Sequence, residues 1–214
     1  MANVDTRQVN MTFVFSDEVL SLAHLKVADL RTLVLEIFES EPVITQFPDV
    51  IAVIHPATQT NLLIERNRLI FTNGDLKPFE SRDIDKFTQL AIKIYQLFVS
   101  KQLVAYGFNY SFVVSTEEQT AFKQNELCTV TSLGILPEEI VGMGLHVTYK
   151  REGVRYQIQS IPVYGMEVGA INGLEANCNI HYFSMPFPTG LVDLVAQFRQ
   201  GHDQMREVIR EKLV

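Results

Sequence analysis

Cysteine is scarce in this sequence, and long apolar segments are absent. The two cysteines, Cys128 and Cys178, lie far apart and in no spacing typical of a metal site. Two cysteines in 214 residues are typical of a reducing compartment, although the sequence alone leaves a disulfide between them open.

The most apolar segment, residues 92–99, is too short to cross a bilayer, and the first residues lack the basic and apolar regions of a secretory signal. We therefore expect a cytoplasmic protein without a membrane partner. A secreted chain that has already lost its signal is the alternative.

Concentrated positive charge is also absent. The chain has 18 Lys and Arg residues against 25 Asp and Glu residues, which gives a formal net charge of −7. The densest basic cluster, at residues 150–155, contains Glu152 and fits the tip of a hairpin. Because an acidic surface repels phosphate backbones, nucleic acid is not an expected partner.

The sequence contains none of the common catalytic or cofactor-binding motifs. It has no phosphate-binding loop, G-x-S-x-G motif or H-E-x-x-H motif, and the glycines of residues 141–146 lead into a strand rather than a helix. The five histidines are His24, His55, His146, His181 and His202, and none has a His, Cys or carboxylate at the i+2 or i+4 spacing of a preformed metal site. The acidic pairs Glu117–Glu118 and Glu138–Glu139 fit helix starts. No metal or cofactor is expected, and a non-catalytic function is favoured over an enzyme.

Alternating and helical patterns of apolar residues predict an α+β protein. Helices are predicted over 27–40, 82–102 and 189–213, and a further short helix after Ser115. Strands are predicted over 9–15, 49–56, 103–115 and 173–183, together with hairpins that turn at 66–67 and 151–153. Because hairpins dominate and strict βαβ alternation is absent, we expect a mainly antiparallel sheet of about seven strands, with three main helices packed on one face. One domain over 1–214 is expected, with two loosely similar halves, 9–103 and 104–214.

The strand predicted over 173–183, GLEANCNIHYF, has an unusual outer face. Leu174, Cys178 and Ile180 share its apolar side, whereas the opposite side carries mostly uncharged amides and an imidazole. With the preceding hairpin as neighbour, the predicted binding residues on this face are His146, Gln157, Gln159, Asn177, Asn179 and His181. Charge depletion with retained polar groups is typical of an interface centre, because amides can be buried without the cost of burying charge. We predict a contact surface for a protein partner, most simply a homodimer. A solvated sheet face is the alternative.

A second predicted site lies between the sheet and the helices. Tyr106, Tyr110, Tyr156 and His202 are the residues that would line a small-molecule or catalytic pocket there. His202 lies on the apolar stripe of the last helix, where it is either a ligand or pH-sensitive latch, or a half-buried side chain satisfied by one hydrogen bond. Gly201 beside it predicts a kink or a tight helix crossing, since glycine weakens a helix by about 1 kcal/mol relative to alanine.

Overall fold

A computed structural model of the chain describes residues 3–16, 25–98, 101–115, 144–164, 171–183 and 185–212. The described strands form one nine-stranded sheet. They are β1 (Asn3–Phe15), β2 (Val43–Gln46), β3 (Val50–His55), β4 (Thr60–Glu65), β5 (Arg68–Asn73), β6 (Leu103–Ser115), β7 (Leu145–Arg151), β8 (Val154–Tyr164) and β9 (Ile171–Phe183). The described helices are α1 (Val27–Phe38), α2 (Ile84–Gln96) and α3 (Leu191–Lys212).

The strand order across the sheet is β2-β3-β4-β5-β1-β6-β9-β8-β7. Every neighbouring pair is antiparallel. The two central strands, β1 and β6, are each flanked by the last strand of their own half of the chain. This order confirms the α+β class and the antiparallel sheet, but the predicted number of about seven strands was too low.

The short edge strand β2 was not predicted from the sequence, because its residues show no alternating apolar pattern. β2 pairs with β3 through Val43–Ile54 and Gln46–Ile51. The side chains of β2 are mostly exposed, so burial does not impose alternation on its four residues. An edge strand of this kind is held by its backbone hydrogen bonds, which the amino-acid sequence does not record.

β1 begins six residues earlier than the predicted 9–15, because a β-bulge interrupts its alternation between Thr6 and Gln8. The bulge lets Val4 and Val9 both face the helices in spite of their odd spacing. Arg82 stabilises it, since its buried guanidinium donates hydrogen bonds to the carbonyl oxygens of Thr6 and Lys77.

The three predicted main helices are confirmed with shorter bounds, and α2 ends at Gln96 rather than at the predicted residue 102. The carboxylate of Asp83 accepts a hydrogen bond from the backbone N–H of Lys86 at 3.1 Å, which caps the start of α2. The predicted hairpin turn also has the backbone it needs, because Glu152 and Gly153 both have positive φ angles. The predicted short helix after Ser115, together with Cys128, the two acidic pairs and His24, lies outside the described residues.

The helices cover one face of the sheet, and α3 approaches the central strands very closely at Gly201. A Cβ atom at this position would lie 2.8 Å from the hydroxyl of Tyr110 and 3.0 Å from Cδ1 of Ile180. The Tyr110 hydroxyl itself donates a 2.7 Å hydrogen bond to the carbonyl oxygen of Phe198. Gly201 therefore allows a close contact between α3 and the sheet, whereas the sequence predicts a kink or a tight helix crossing. No helix in the described part of the chain is long and apolar enough to cross a membrane.

Replacing Gly201 with alanine should lower the free energy of unfolding by about 1–3 kcal/mol, because the added methyl group overpacks the contact with Tyr110. This loss should exceed the gain in helix propensity, which is about 1 kcal/mol. Urea denaturation followed by circular dichroism measures the change. Gln200→Ala, at an exposed position of the same helix, is the control and should keep the parent stability. A Gly201→Ala protein as stable as the parent would contradict the close approach.

Candidate interface on the open sheet face

The sheet face opposite the described helices, here called the open face because no described helix covers it, has no Lys, Arg, Asp or Glu along two rows of side chains at its centre. These central rows cross β7, β8, β9, β6 and β1. The first row consists of His146, Gln159, Asn177, Ser111 and Gln8. The second row consists of Thr148, Gln157, Asn179, Asn109 and Asn10.

The structure places all six residues of the predicted binding site on this face. Five of them belong to the central rows, and His181 lies in the next row, beside Arg155 of β8. Nε2 of Gln157 and Nε2 of His146 are 2.6 Å apart, so the amide and the imidazole share a hydrogen bond. The six side chains form one continuous surface, and their role in binding remains a prediction.

The open face extends further than the sequence predicts, because the central strands carry the same pattern into the first half of the chain. Nδ2 of Asn109 donates to Oδ1 of Asn10 at 2.6 Å, and Nδ2 of Asn10 donates to the hydroxyl of Thr72 at 3.1 Å. Asn10 and Thr12 alternate with apolar residues in β1, so their outward direction is readable from the sequence. That β1 lies next to β6 is not readable, and this adjacency joins Asn10 to the predicted site.

A depression of about 380 Å³ lies at the middle of the central rows. It is lined by Gln8, Asn10, Asn109, Tyr110, Ser111, Glu175, Asn177 and Asn179. Within the described part of the chain, the side chains of Gln8, Ser111, Asn177 and Asn179 make no hydrogen bond to the protein. Their amide and hydroxyl groups therefore remain available to a partner molecule.

Charges of opposite sign stand at the two ends of the open face. Glu175 and Asp5 lie at one end, in register with Val113 of β6. Lys150 and Arg155 pair with each other at the opposite end. The guanidinium of Arg155 stacks over the ring of Phe183 at 4.7 Å from its centroid. Burial, and then the charge of Arg155, lower the pKa of His181, which favours the neutral imidazole.

The predicted site between sheet and helices is filled by its own side chains. Tyr106, Tyr110 and His202 are fully buried there. The ring centroids of Tyr110 and His202 are 5.7 Å apart. Tyr156, by contrast, is half-buried on β8, where it stacks on Tyr149 at 4.9 Å. The structure thus brings Tyr110 and His202 into contact and holds Tyr156 apart from them.

His202 is held more firmly than the single hydrogen bond expected from the sequence. Its Nε2 atom lies 2.7 Å from the hydroxyl of Thr6, and its Nδ1 atom lies 3.0 Å from Oδ1 of Asp203. The imidazole also stacks on the ring of Phe79, with 3.6 Å between the centroids. Burial lowers the pKa of His202, and the hydrogen bond with Asp203 opposes that effect only in part.

The described residues offer little support for nucleophilic or metal chemistry. Cys178 is fully buried on the helix side of β9, and burial raises the pKa of its thiol to about 12. The thiolate, which is the nucleophile, is therefore scarce at neutral pH. No group of three or more His, Cys, Asp or Glu side chains in the described ranges could hold a metal ion.

Comparison with known proteins adds no family. No protein family matches the chain, and no curated protein is significantly similar to it. One solved structure that aligns with the chain is that of Methanococcus jannaschii TBP. The alignment covers 98% of this chain and 99% of that one, at 11% sequence identity and a TM-score of 0.30. A TM-score this low shows neither a common fold nor a common function.

The buried His202 should make the protein less stable in mild acid. Its pKa in the folded protein lies below the ordinary value of 6.5, so below that pH the unfolded chain takes up a proton that the folded chain does not. Stability should therefore fall as the pH drops from 7.5 to 5.5, and His202→Gln should reduce this fall by at most about 1.4 kcal/mol per pH unit.

Urea denaturation of the parent and of His202→Gln at both pH values measures the effect. Burial also lowers the pKa values of His55 and His181, but both residues are present in the two proteins and their contributions cancel. An identical pH dependence in parent and variant would show that His202 titrates normally in the folded state.

Proposed function

We propose that this chain is a non-catalytic binding or assembly protein that acts through its open face. Its partner is a protein, most simply a second copy of the same chain, and the expected location is the cytoplasm. The observation that carries this proposal is the pair of central rows, which hold uncharged hydrogen-bonding side chains over five adjacent strands.

The energetics of burial favour a partner over bulk water for these rows. Removing a charged side chain from water is costly, whereas an amide loses little when hydrogen bonds to a partner replace those to water. A sheet face that stays in water has no need to avoid Lys and Glu. Centres of protein interfaces are depleted of charge in the same way.

Two other kinds of partner fit the molecule less well. A nucleic acid would meet a chain of net charge −7, with Glu175 and Asp5 on the open face itself. A small molecule between the sheet and the helices would have to displace Tyr110 or His202, which are fully buried and hydrogen-bonded.

Lysine at both 157 and 177 tests the proposal. The double variant Gln157→Lys/Asn177→Lys places positive charge in the middle of the open face, on half-buried positions of the isolated chain. We expect the parent to be a dimer by light scattering and the double variant to be a monomer, because the two new ammonium groups would have to be buried against those of the other copy.

The matched control is Gln96→Lys/Gln200→Lys, which adds the same charge at exposed positions of the helix layer. This control should remain a dimer, and both variants should keep the circular dichroism spectrum of the parent. A parent that is monomeric over the whole concentration range would overturn self-association through the open face.

A further inference from the structure

We infer that the second copy stacks on the open face with its strands antiparallel to those of the first, about a two-fold axis that crosses the strands at the level of Cys178. This arrangement rests on the proposed function and specifies its geometry. The axis lies in the plane between the two sheets and runs perpendicular to the strands. Each strand therefore lies over the same strand of the second copy, in the opposite direction.

The sequence of β9 is self-complementary about Cys178. The axis places Asn177 opposite Asn179 of the second copy, where each amide can donate to the other and accept from it. Two residues further out, Glu175 lies opposite His181 of the second copy. Because the axis is two-fold, each of these contacts occurs twice in the dimer.

The neighbouring strands are complementary about the same level, because Cys178 is in register with Ile158 of β8 and with Tyr110 of β6. Tyr110 is in turn in register with Val9 of β1. The axis then pairs Gln157 with Gln159, Asn109 with Ser111, Asn10 with Gln8, and His146 with Thr148. Every member of these pairs has hydrogen-bonding capacity, and none is a Lys, Arg, Asp or Glu.

The charged ends of the open face also match in this arrangement. Arg155 is the neighbour of His181 on β8, so Glu175 of one copy meets both of these side chains of the other. Stacked sheets lie about 10 Å apart, a distance that the long Arg155 and Glu175 side chains can close from the two sides. Opposite charges at two symmetric positions align the copies and oppose other orientations.

The proposed arrangement also gives a complementary apolar contact at Phe183. Phe183 is 40% exposed on the open face and lies opposite Gly173 of the second copy, which has no side chain to obstruct the ring. Val163, which is in register with Gly173 and is 41% exposed, lies beside that position. The dimer would therefore cover two apolar side chains that are partly exposed in the isolated chain.

The other two-fold orientation, with the axis parallel to the strands and between β1 and β6, gives poor contacts. It would place Arg155 and Lys150 against Leu63 and Ala52, which occupy the same row on the other half of the sheet. The nearest carboxylate to Arg155 would then be Glu65, about 7 Å further along β4 from Leu63, whereas the first orientation brings Glu175 within one strand spacing of about 4.8 Å. Electrostatics therefore selects the axis that crosses the strands.

The contact area suits a stable dimer. Five strands at about 4.8 Å spacing, over a length of about ten residues at about 3.3 Å each, span roughly 24 Å by 33 Å. The face of each copy thus contributes on the order of 800 Å², which is about the contribution of one partner to a standard protein interface.

Charge reversal tests this arrangement. In Glu175→Arg, arginine meets Arg155 and His181 of the second copy at both symmetric positions, and in Arg155→Glu two carboxylates meet in the same way. Each single variant should raise the dimer dissociation constant at least about tenfold, because like charges face each other twice. Sedimentation velocity over a concentration series measures the constant.

An equal mixture of the two variants is the decisive sample. In the mixed dimer, the side chains introduced by Glu175→Arg and Arg155→Glu meet at one symmetric position, and the native Arg155 and Glu175 meet at the other. Opposite charges then face each other at both positions, so association should return to within about threefold of the parent. Residues 155 and 175 of one chain do not interact directly, because Arg155 is in register with His181, about 20 Å along the sheet from Glu175 and beyond the Debye length of about 8 Å at physiological ionic strength.

The control pair is Glu207→Arg and Arg210→Glu, which makes the same charge changes at exposed positions of α3 and should leave the dissociation constant unchanged. If the parent is a dimer and Gln157→Lys/Asn177→Lys is a monomer, but the charge reversals have no effect or their mixture gives no rescue, the arrangement is wrong and the proposed function stands. A monomeric parent would overturn both. Equal weakening by the control pair would also overturn the arrangement, since the effect would then follow overall charge.

Discussion

The antiparallel pairing of β1 with β6 is the interaction on which the rest of the molecule depends. It joins the two halves of the chain into one sheet, with Val9 next to Tyr110 and Asn10 next to Asn109. The same register has opposite consequences on the two faces. On the helix side it aligns a row of large apolar side chains beneath α3, and on the open side it joins the amides of both halves. Without this pairing neither the core nor the central rows would be continuous.

Packing on the helix side holds the open face in shape. Gly201 lets α3 lie directly on Tyr110 and Ile180, and Tyr110 is tied to the helix backbone by its hydroxyl group. Because close-packed interiors resist deformation, β6 and β9 have little freedom to bend toward or away from a partner. The amides on their outer side are thus presented by a rigid support, which reduces the entropy that binding would cost.

Long periodic elements were predictable from the sequence because burial imposes their pattern. The bounds of β6 match the prediction at both ends, and Asn177 and Asn179 were assigned to the correct face since Cys178 must point inward. β2 was missed because its exposed residues carry no period. Gln8 and Asn10 were missed as site residues because they join Ser111 and Asn109 only through the order of strands, which depends on contacts between distant parts of the chain. Local sequence patterns do not show which distant parts of the chain are in contact.

The two edge strands affect how the protein behaves at high concentration. An exposed strand edge can pair with the edge of another molecule, and repetition of that contact produces open-ended aggregates. In the described sheet one edge is β2, which has only four residues and lies between Pro42 and Pro48, and the other is β7, which ends in Lys150 and Arg151. Short length and flanking prolines at one edge, and like charges at the other, both oppose the growth of fibrils by strand addition.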